Sequence, residues 1–183
     1  RDSEEWLQNQ FKDRLVQKEY ITIVCGKPPA SAGDIKTQII RDPKNRQRFK
    51  AVTDTTEGKF ARTIYHCICS YGPYSLIRVR IKTGRTHQIR VHMGDLKHKV
   101  VGDEKYGPVS NPINRLGLHA YVLEFTHPHT NKKMAFVVAI DGIDHAARAG
   151  IITETFLATL PRPEYIPDNV KLLISGQPQE SYP

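Results

Sequence analysis

Acidic residues are in short supply in this chain. Its 183 residues carry 19 Asp and Glu against 27 Lys and Arg, a formal charge of +8 with a pI near 9.4. That imbalance fits a polyanionic partner, and nucleic acid is the commonest one. Cysteine is scarcer still. Cys25, Cys67 and Cys69 leave an odd count and form no C-x-x-C pair, so neither a disulfide framework nor a structural zinc site is expected. The spare cysteine usage points to an intracellular, reducing compartment. No apolar run is long enough to span a membrane, and the opening Arg1-Asp2-Ser3-Glu4-Glu5-Trp6 lacks the apolar core of a signal peptide. The chain also lacks G-x-x-x-x-G-K-[ST] and G-x-G-x-x-G, which removes motif support for a nucleotide cofactor. H-E-x-x-H is missing, and His87, His92 and His98 share no helical face, so no metal is expected. A metal hydrolase built on His87 and His92 is kept as a minor alternative.

What is present has the balance of a soluble globular chain, with 39% hydrophobic and 25% charged residues. Residues 3 to 15 predict a helix, with Ser3 as N-cap and Trp6, Leu7, Phe11 and Leu15 at helical spacing. Lys18 to Gly26 predicts a buried strand and Ile35 to Ile40 a second. Residues 41 to 59 read as an exposed loop or hairpin whose Arg41, Lys44, Arg46, Arg48 and Lys50 are open to a phosphate backbone. Ala61 to Ser70 and Leu76 to Lys82 predict a β-hairpin turning at Gly72-Pro73. Cys67 and Cys69 then share one face as small core residues. Leu118 to Phe125 and Met134 to Ile140 predict two further strands, joined by a turn over His127 to Asn131. The fold class expected is α+β, a mostly antiparallel mixed sheet with few helices. Residues 1–142 form its domain, and 143–183 a short helix near His145 to Ala149 and a proline-rich tail.

The densest stretch is Thr83-Gly84-Arg85-Thr86-His87-Gln88-Ile89-Arg90-Val91-His92. Ahead of it Ile77, Val79 and Ile81 alternate with Arg78, Arg80 and Lys82, the period of a half-buried strand. Gly84 allows a tight turn, and Thr86 is the expected N-cap of a helix running to about Leu96. Such a junction gathers unpaired backbone N–H groups with Arg85, His87 and Arg90, which suits an anion. A solvated basic strand edge beside an ordinary helix is the plainer alternative.

That stretch, followed by Gly102-Asp103-x-x-Tyr106-Gly107, resembles the RluA-type pseudouridine synthases. Lys18-Glu19-Tyr20 looks like the family's K-x-Y strand, and Gly58-Lys59-x-Ala61-x-Thr63-x-Tyr65 like its next one. Arg115 to Ala120 and Leu123-x-Phe125-x-His127-Pro128 follow in the expected order, so the resemblance covers about residues 5 to 140. It implies the catalytic-domain fold of that family and isomerisation of uridine to pseudouridine in ribosomal or transfer RNA, without a cofactor. In that chemistry a base is flipped from its stack, attacked by an aspartate, turned, and rejoined to ribose through carbon 5.

By position the resemblance makes Tyr20 the tyrosine against the target uracil and Arg90 the partner of the catalytic aspartate. Ile89 becomes the apolar neighbour of the base. Arg85, Thr86 and His87, at the turn that suits an anion, are expected as further substrate-binding residues. Arg78, Arg80, Lys82, Lys97 and Lys99 are the expected RNA-binding cations. The family's aspartate sits in an H-R-L-D-like segment well upstream of the tyrosine, and no such segment occurs here. Asp2 is not accepted as a substitute. Lys97-His98-Lys99 also stands where the family has Gly-His-Pro. The chain is therefore expected to be the C-terminal part of a catalytic domain lacking its N-terminal part, inactive alone, with that part and RNA as partners. A non-catalytic RNA-binding module that retains the fold is the alternative.

Overall fold

The alternation of Ile77, Val79 and Ile81 with Arg78 and Arg80 becomes the middle of a sheet, because a strand presents successive side chains to opposite faces. The computed structural model describes residues 2–107, 113, 115–138 and 170–173. In chain order its elements are α1 (Asp2–Lys12), β1 (Gln17–Cys25), β2 (Ala32–Arg41), β3 (Phe49–Val52), β4 (Lys59–Tyr71) and β5 (Tyr74–Ile81). They continue as α2 (Gln88–Asp95), β6 (Leu118–Thr126), β7 (Lys133–Val138) and β8 (Val170–Leu173). Among the described residues the strands form one sheet in the order β3-β2-β4-β5-β1-β6-β7-β8. Every neighbouring pair is antiparallel except β7 and β8, which run parallel. This is the α+β, mostly antiparallel mixed sheet that the sequence predicts. None of the described helices is long and apolar enough to cross a membrane.

The β4–β5 hairpin closes where Tyr71 pairs Tyr74, with Gly72 at φ 52° taking the left-handed position that the two-residue loop requires. β5 then pairs β1, setting Tyr20 opposite Val79. The face carrying Val24, Ile77, Val79 and Ile81 packs under Ile89 and Met93 of α2, with Tyr20 against the same cluster. Ile77 and Val79 are fully buried there, each worth about 1.5–3 kcal/mol relative to exposure. The opposite face carries a second cluster of Ile21, Ile23, Leu76, Val101 and Tyr121. Between β1 and β6 the register slips. Glu19 faces Val122 while Tyr20 faces Ala120, which leaves Tyr121 as an extra residue.

Four sequence expectations change. Ser3 lies inside α1, and its hydroxyl meets Nε2 of His129 at 2.9 Å instead of capping the helix. The predicted apolar stripe of α1 is not its anchor, since Phe11 and Leu15 are exposed. The buried residue is Gln10, whose amide donates to the Thr126 carbonyl and accepts from its N–H, both at 2.9 Å. Cys67 and Cys69 do not follow simple alternation, because a bulge separates them on β4. Finally, the expected proline-rich tail contributes β8 beside β7. The helix expected near His145 to Ala149 lies outside the described residues.

Candidate functional site

The turn from β5 into α2 is organised by Gln88, which is 3% exposed. Its Oε1 accepts from the Thr83 hydroxyl at 2.7 Å and from the Arg85 N–H at 3.0 Å. Its Nε2 donates to the Arg62 carbonyl at 3.0 Å and to Thr63 Oγ1 at 2.9 Å. Both ends of one amide thereby fix the Thr83–Arg85 loop to β4. Thr86, the predicted cap, is not in the capping position. His87 holds it, at φ 57° and without a side-chain cap bond, and the Gln88 side chain ties the turn in its place. One turn on, His92 is fully buried, with Nδ1 2.7 Å from Thr63 Oγ1 and Nε2 3.0 Å from Thr37 Oγ1. Burial without a carboxylate lowers its pKa to about 4.

The predicted residues divide among several places. Tyr20 and Ile89 come together against one apolar cluster, Ile89 only 5% exposed and Tyr20 half-buried. Burial pushes the Tyr20 phenol up, so it stays protonated at neutral pH. Arg85 donates from Nε to the Phe60 carbonyl at 2.8 Å. With Thr86, Arg41, Phe49 and Lys59 it lines a cavity of about 530 Å³. His87 meets the Tyr106 hydroxyl through Nδ1 at 2.9 Å and stands edge-on to Phe49 and Tyr106. Its pKa is lowered by burial first, then by the charges of Arg90 and Lys105.

Arg90 has a carboxylate partner among the described residues that the sequence did not point to, Asp103. Its Nε and Nη2 meet Asp103 at 2.7 and 2.5 Å, and its guanidinium lies 5.0 Å from the Tyr106 ring centroid. Asp103 also caps its own turn, accepting from the N–H groups of Lys105 and Tyr106 at 3.0 Å each. Burial alone would raise the Asp103 carboxyl. The Arg90 hydrogen bond and charge, together with the N–H groups of Tyr106 and Lys105, outweigh it, and the net shift is downward.

The expected RNA-binding cations do not make one face. Arg78 and Arg80 project from the side of β5 opposite Ile77 and Val79, where both bind the buried Glu19 carboxylate. Lys82 stays with the Thr83 turn and lines a cavity beside Arg85. Lys97 and Lys99 follow α2 at the far end of β1, where the Lys99 carbonyl accepts from Cys25. The length of β5 separates the two ends, roughly 23 Å at 3.3 Å per residue.

Asp103, Gln88 and Glu19 were missed as organising residues. Each stood inside a quoted run, Glu19 in Lys18-Glu19-Tyr20, Gln88 in Thr83 to His92 and Asp103 in Gly102-Asp103-x-x-Tyr106-Gly107, but no run marked it as the organising residue. Among the described residues no three His, Cys, Asp or Glu side chains converge as metal ligands.

The model of the RNA pseudouridylate synthase family matches residues 1–95. The chain belongs to this family. Over 136 residues it is 40% identical to an uncharacterized RNA pseudouridine synthase of Chloroflexus aurantiacus, covering 73% of this chain and 42% of that one. Over 121 residues it is 44% identical to the ribosomal large subunit pseudouridine synthase D of Borreliella burgdorferi, covering 65% and 36%. The chain thus spans less than half the length of these curated relatives. The human RNA pseudouridylate synthase domain containing 1 superposes with a TM-score of 0.61 at 27% identity, covering 73% of this chain and 58% of that one. Human RNA pseudouridylate synthase domain containing 4, at 22% identity and a TM-score of 0.64 over 80% and 67%, shares the fold.

Proposed function

We propose that this chain is the part of an RNA pseudouridine synthase that supplies the tyrosine and arginine side of the base pocket. The whole protein then isomerises uridine to pseudouridine in ribosomal or transfer RNA. The observation that carries this reading is the joint packing of Tyr20 with Ile89 behind the Gln88-held turn. Tyr20 offers a neutral aromatic face to a flipped base, and Ile89 backs it from the core. Arg90 uses its Nε and Nη2 edge on Asp103. Its Nη1 edge is left for a second carboxylate, which a guanidinium would hold ionised and oriented. That carboxylate is the nucleophilic aspartate, and we place it in a segment other than these 183 residues.

The test is pseudouridine formation on total RNA, read by mass spectrometry. The chain alone should form none, whereas a longer protein carrying an aspartate segment ahead of Arg1 should turn over. In that protein Arg90→Ala should reduce the rate at least about a hundredfold, the scale of losing a group that acts on the transition state. Tyr20→Phe should keep RNA affinity and lose rate. Turnover by the chain alone would show that the nucleophile is inside it. Salt-sensitive RNA binding without turnover by the longer protein would favour the non-catalytic module.

A further inference from the structure

A cavity of about 330 Å³ lies between the end of α1 and the β5–α2 turn. Lys12, Arg14, Lys18, Lys82 and Arg85 line it, and no acidic residue does. Asp13 sits between two of these cations in sequence but does not line the cavity. The ion pairs among the described residues engage Lys36, Arg62, Arg78, Arg80 and Arg90, and none of the cavity's five. Five like charges around one recess repel one another, and a bound anion relieves that repulsion.

Lys18 is the most enclosed of the lysines. Its Nζ lies 5.3 Å from the Phe11 ring centroid, and a β-carbon on Gly84 would stand 3.6 Å from it. Burial pushes its pKa down, which is the signature of a cation without a carboxylate to compensate it. Lysine point charges and arginine forks together suit a phosphate, whose charge is spread over several oxygens.

We propose that this recess is a phosphate-binding subsite that takes a backbone phosphate of the RNA next to the target nucleotide. The RNA part rests on the function proposed above. Lys18 and Tyr20 are two residues apart on β1 and share a face, roughly 6.6 Å along the strand. A phosphate held at Lys18 therefore brings its own nucleotide within reach of Tyr20, while Lys82 and Arg85 close the opposite wall.

The experiment has two arms on the full 183-residue chain. In the first, inorganic phosphate is titrated into nitrogen-15-labelled protein. The Gly84 and Arg85 amides should shift saturably, and Lys18→Gln/Lys82→Gln should abolish the response. In the second, affinity for a short single-stranded RNA is measured against salt. The double variant should bind about tenfold more weakly, with a salt slope smaller by about 0.7, the release expected for one single-strand phosphate contact. The charge-matched control Lys27→Gln/Lys132→Gln, both on exposed residues, should leave the phosphate response intact. Amides that ignore phosphate overturn the subsite, as does a double variant with wild-type RNA affinity and slope. A phosphate response without RNA binding keeps the subsite and overturns the RNA reading beneath it.

Discussion

Arg90 and Asp103 meet edge to edge, Nε on Oδ2 and Nη2 on Oδ1, across thirteen residues of chain. The carboxylate is fully buried and the arginine side chain 15% exposed. The pair joins α2 to the turn that carries Tyr106, so the orientation of the guanidinium is set before any substrate arrives.

Removing one partner should cost more than removing both. Asp103→Asn leaves a largely buried guanidinium without its counter-charge, and about 3 kcal/mol of stability should go. Arg90→Met combined with Asp103→Leu should lose less than the sum of the single changes. Urea denaturation of the wild type, Arg90→Met, Asp103→Leu and the double variant measures the coupling, and strictly additive losses would mean that the pair does not act as a unit.

Acid should weaken the fold through His92. Its folded pKa of about 4 lies below the ordinary 6.5. As pH falls through 6.5 the unfolded chain takes a proton that the folded one refuses. Stability therefore declines from about pH 6.5 to 4, and below that this group has no further effect. The full loss is about 3 kcal/mol at 1.36 kcal/mol per pKa unit. His87, also pushed down by burial and by Arg90, acts in the same direction. Urea midpoints between pH 7 and 4.5 check this. His92→Gln should start less stable and show a flatter dependence, and a flat wild-type profile would contradict a buried neutral imidazole.

Glu19 should tolerate the loss of one arginine but not of both. Its carboxylate side chain is 6% exposed, against 50% for Arg78 and 43% for Arg80. Arg78→Ala should cost under about 1 kcal/mol, because Arg80 still holds the carboxylate. The double change Arg78→Ala/Arg80→Ala strands a buried acid and should cost on the order of 3 kcal/mol. Thermal unfolding of the single and double variants separates the two cases, and equal stepwise losses would contradict the shared carboxylate.

The sequence made the sheet legible wherever one residue in two was apolar. Leu76 to Lys82 needed only the period of the pleat to reveal a strand with one buried face. The site was legible as a set of residues but not as an arrangement. Thr86 has the chemistry of a cap, yet the backbone turns left-handed at His87, and the capping bonds come from Gln88 reaching back to Thr83 and Arg85. That choice depends on Arg62 and Thr63, about twenty-five residues earlier, which no local pattern reports. Phe11 and Leu15 had helical spacing but stay exposed, whereas Gln10 found the edge of β6. Arg78 and Arg80 read as a solvent-facing basic row because Glu19, on another strand, was not visible as their counter-charge.

Tyr121 has no opposite number on β1. It is a spare link, and it gives the chain slack at one place. Loss of one residue there would restore an unbroken ladder between β1 and β6, with the outer strands keeping their faces. Loss of one residue farther along β6 would turn the side chains of the β6–β7 pair over, because strand parity is two. Length changes in this half of the sheet are thus absorbed beside Tyr20 or not at all.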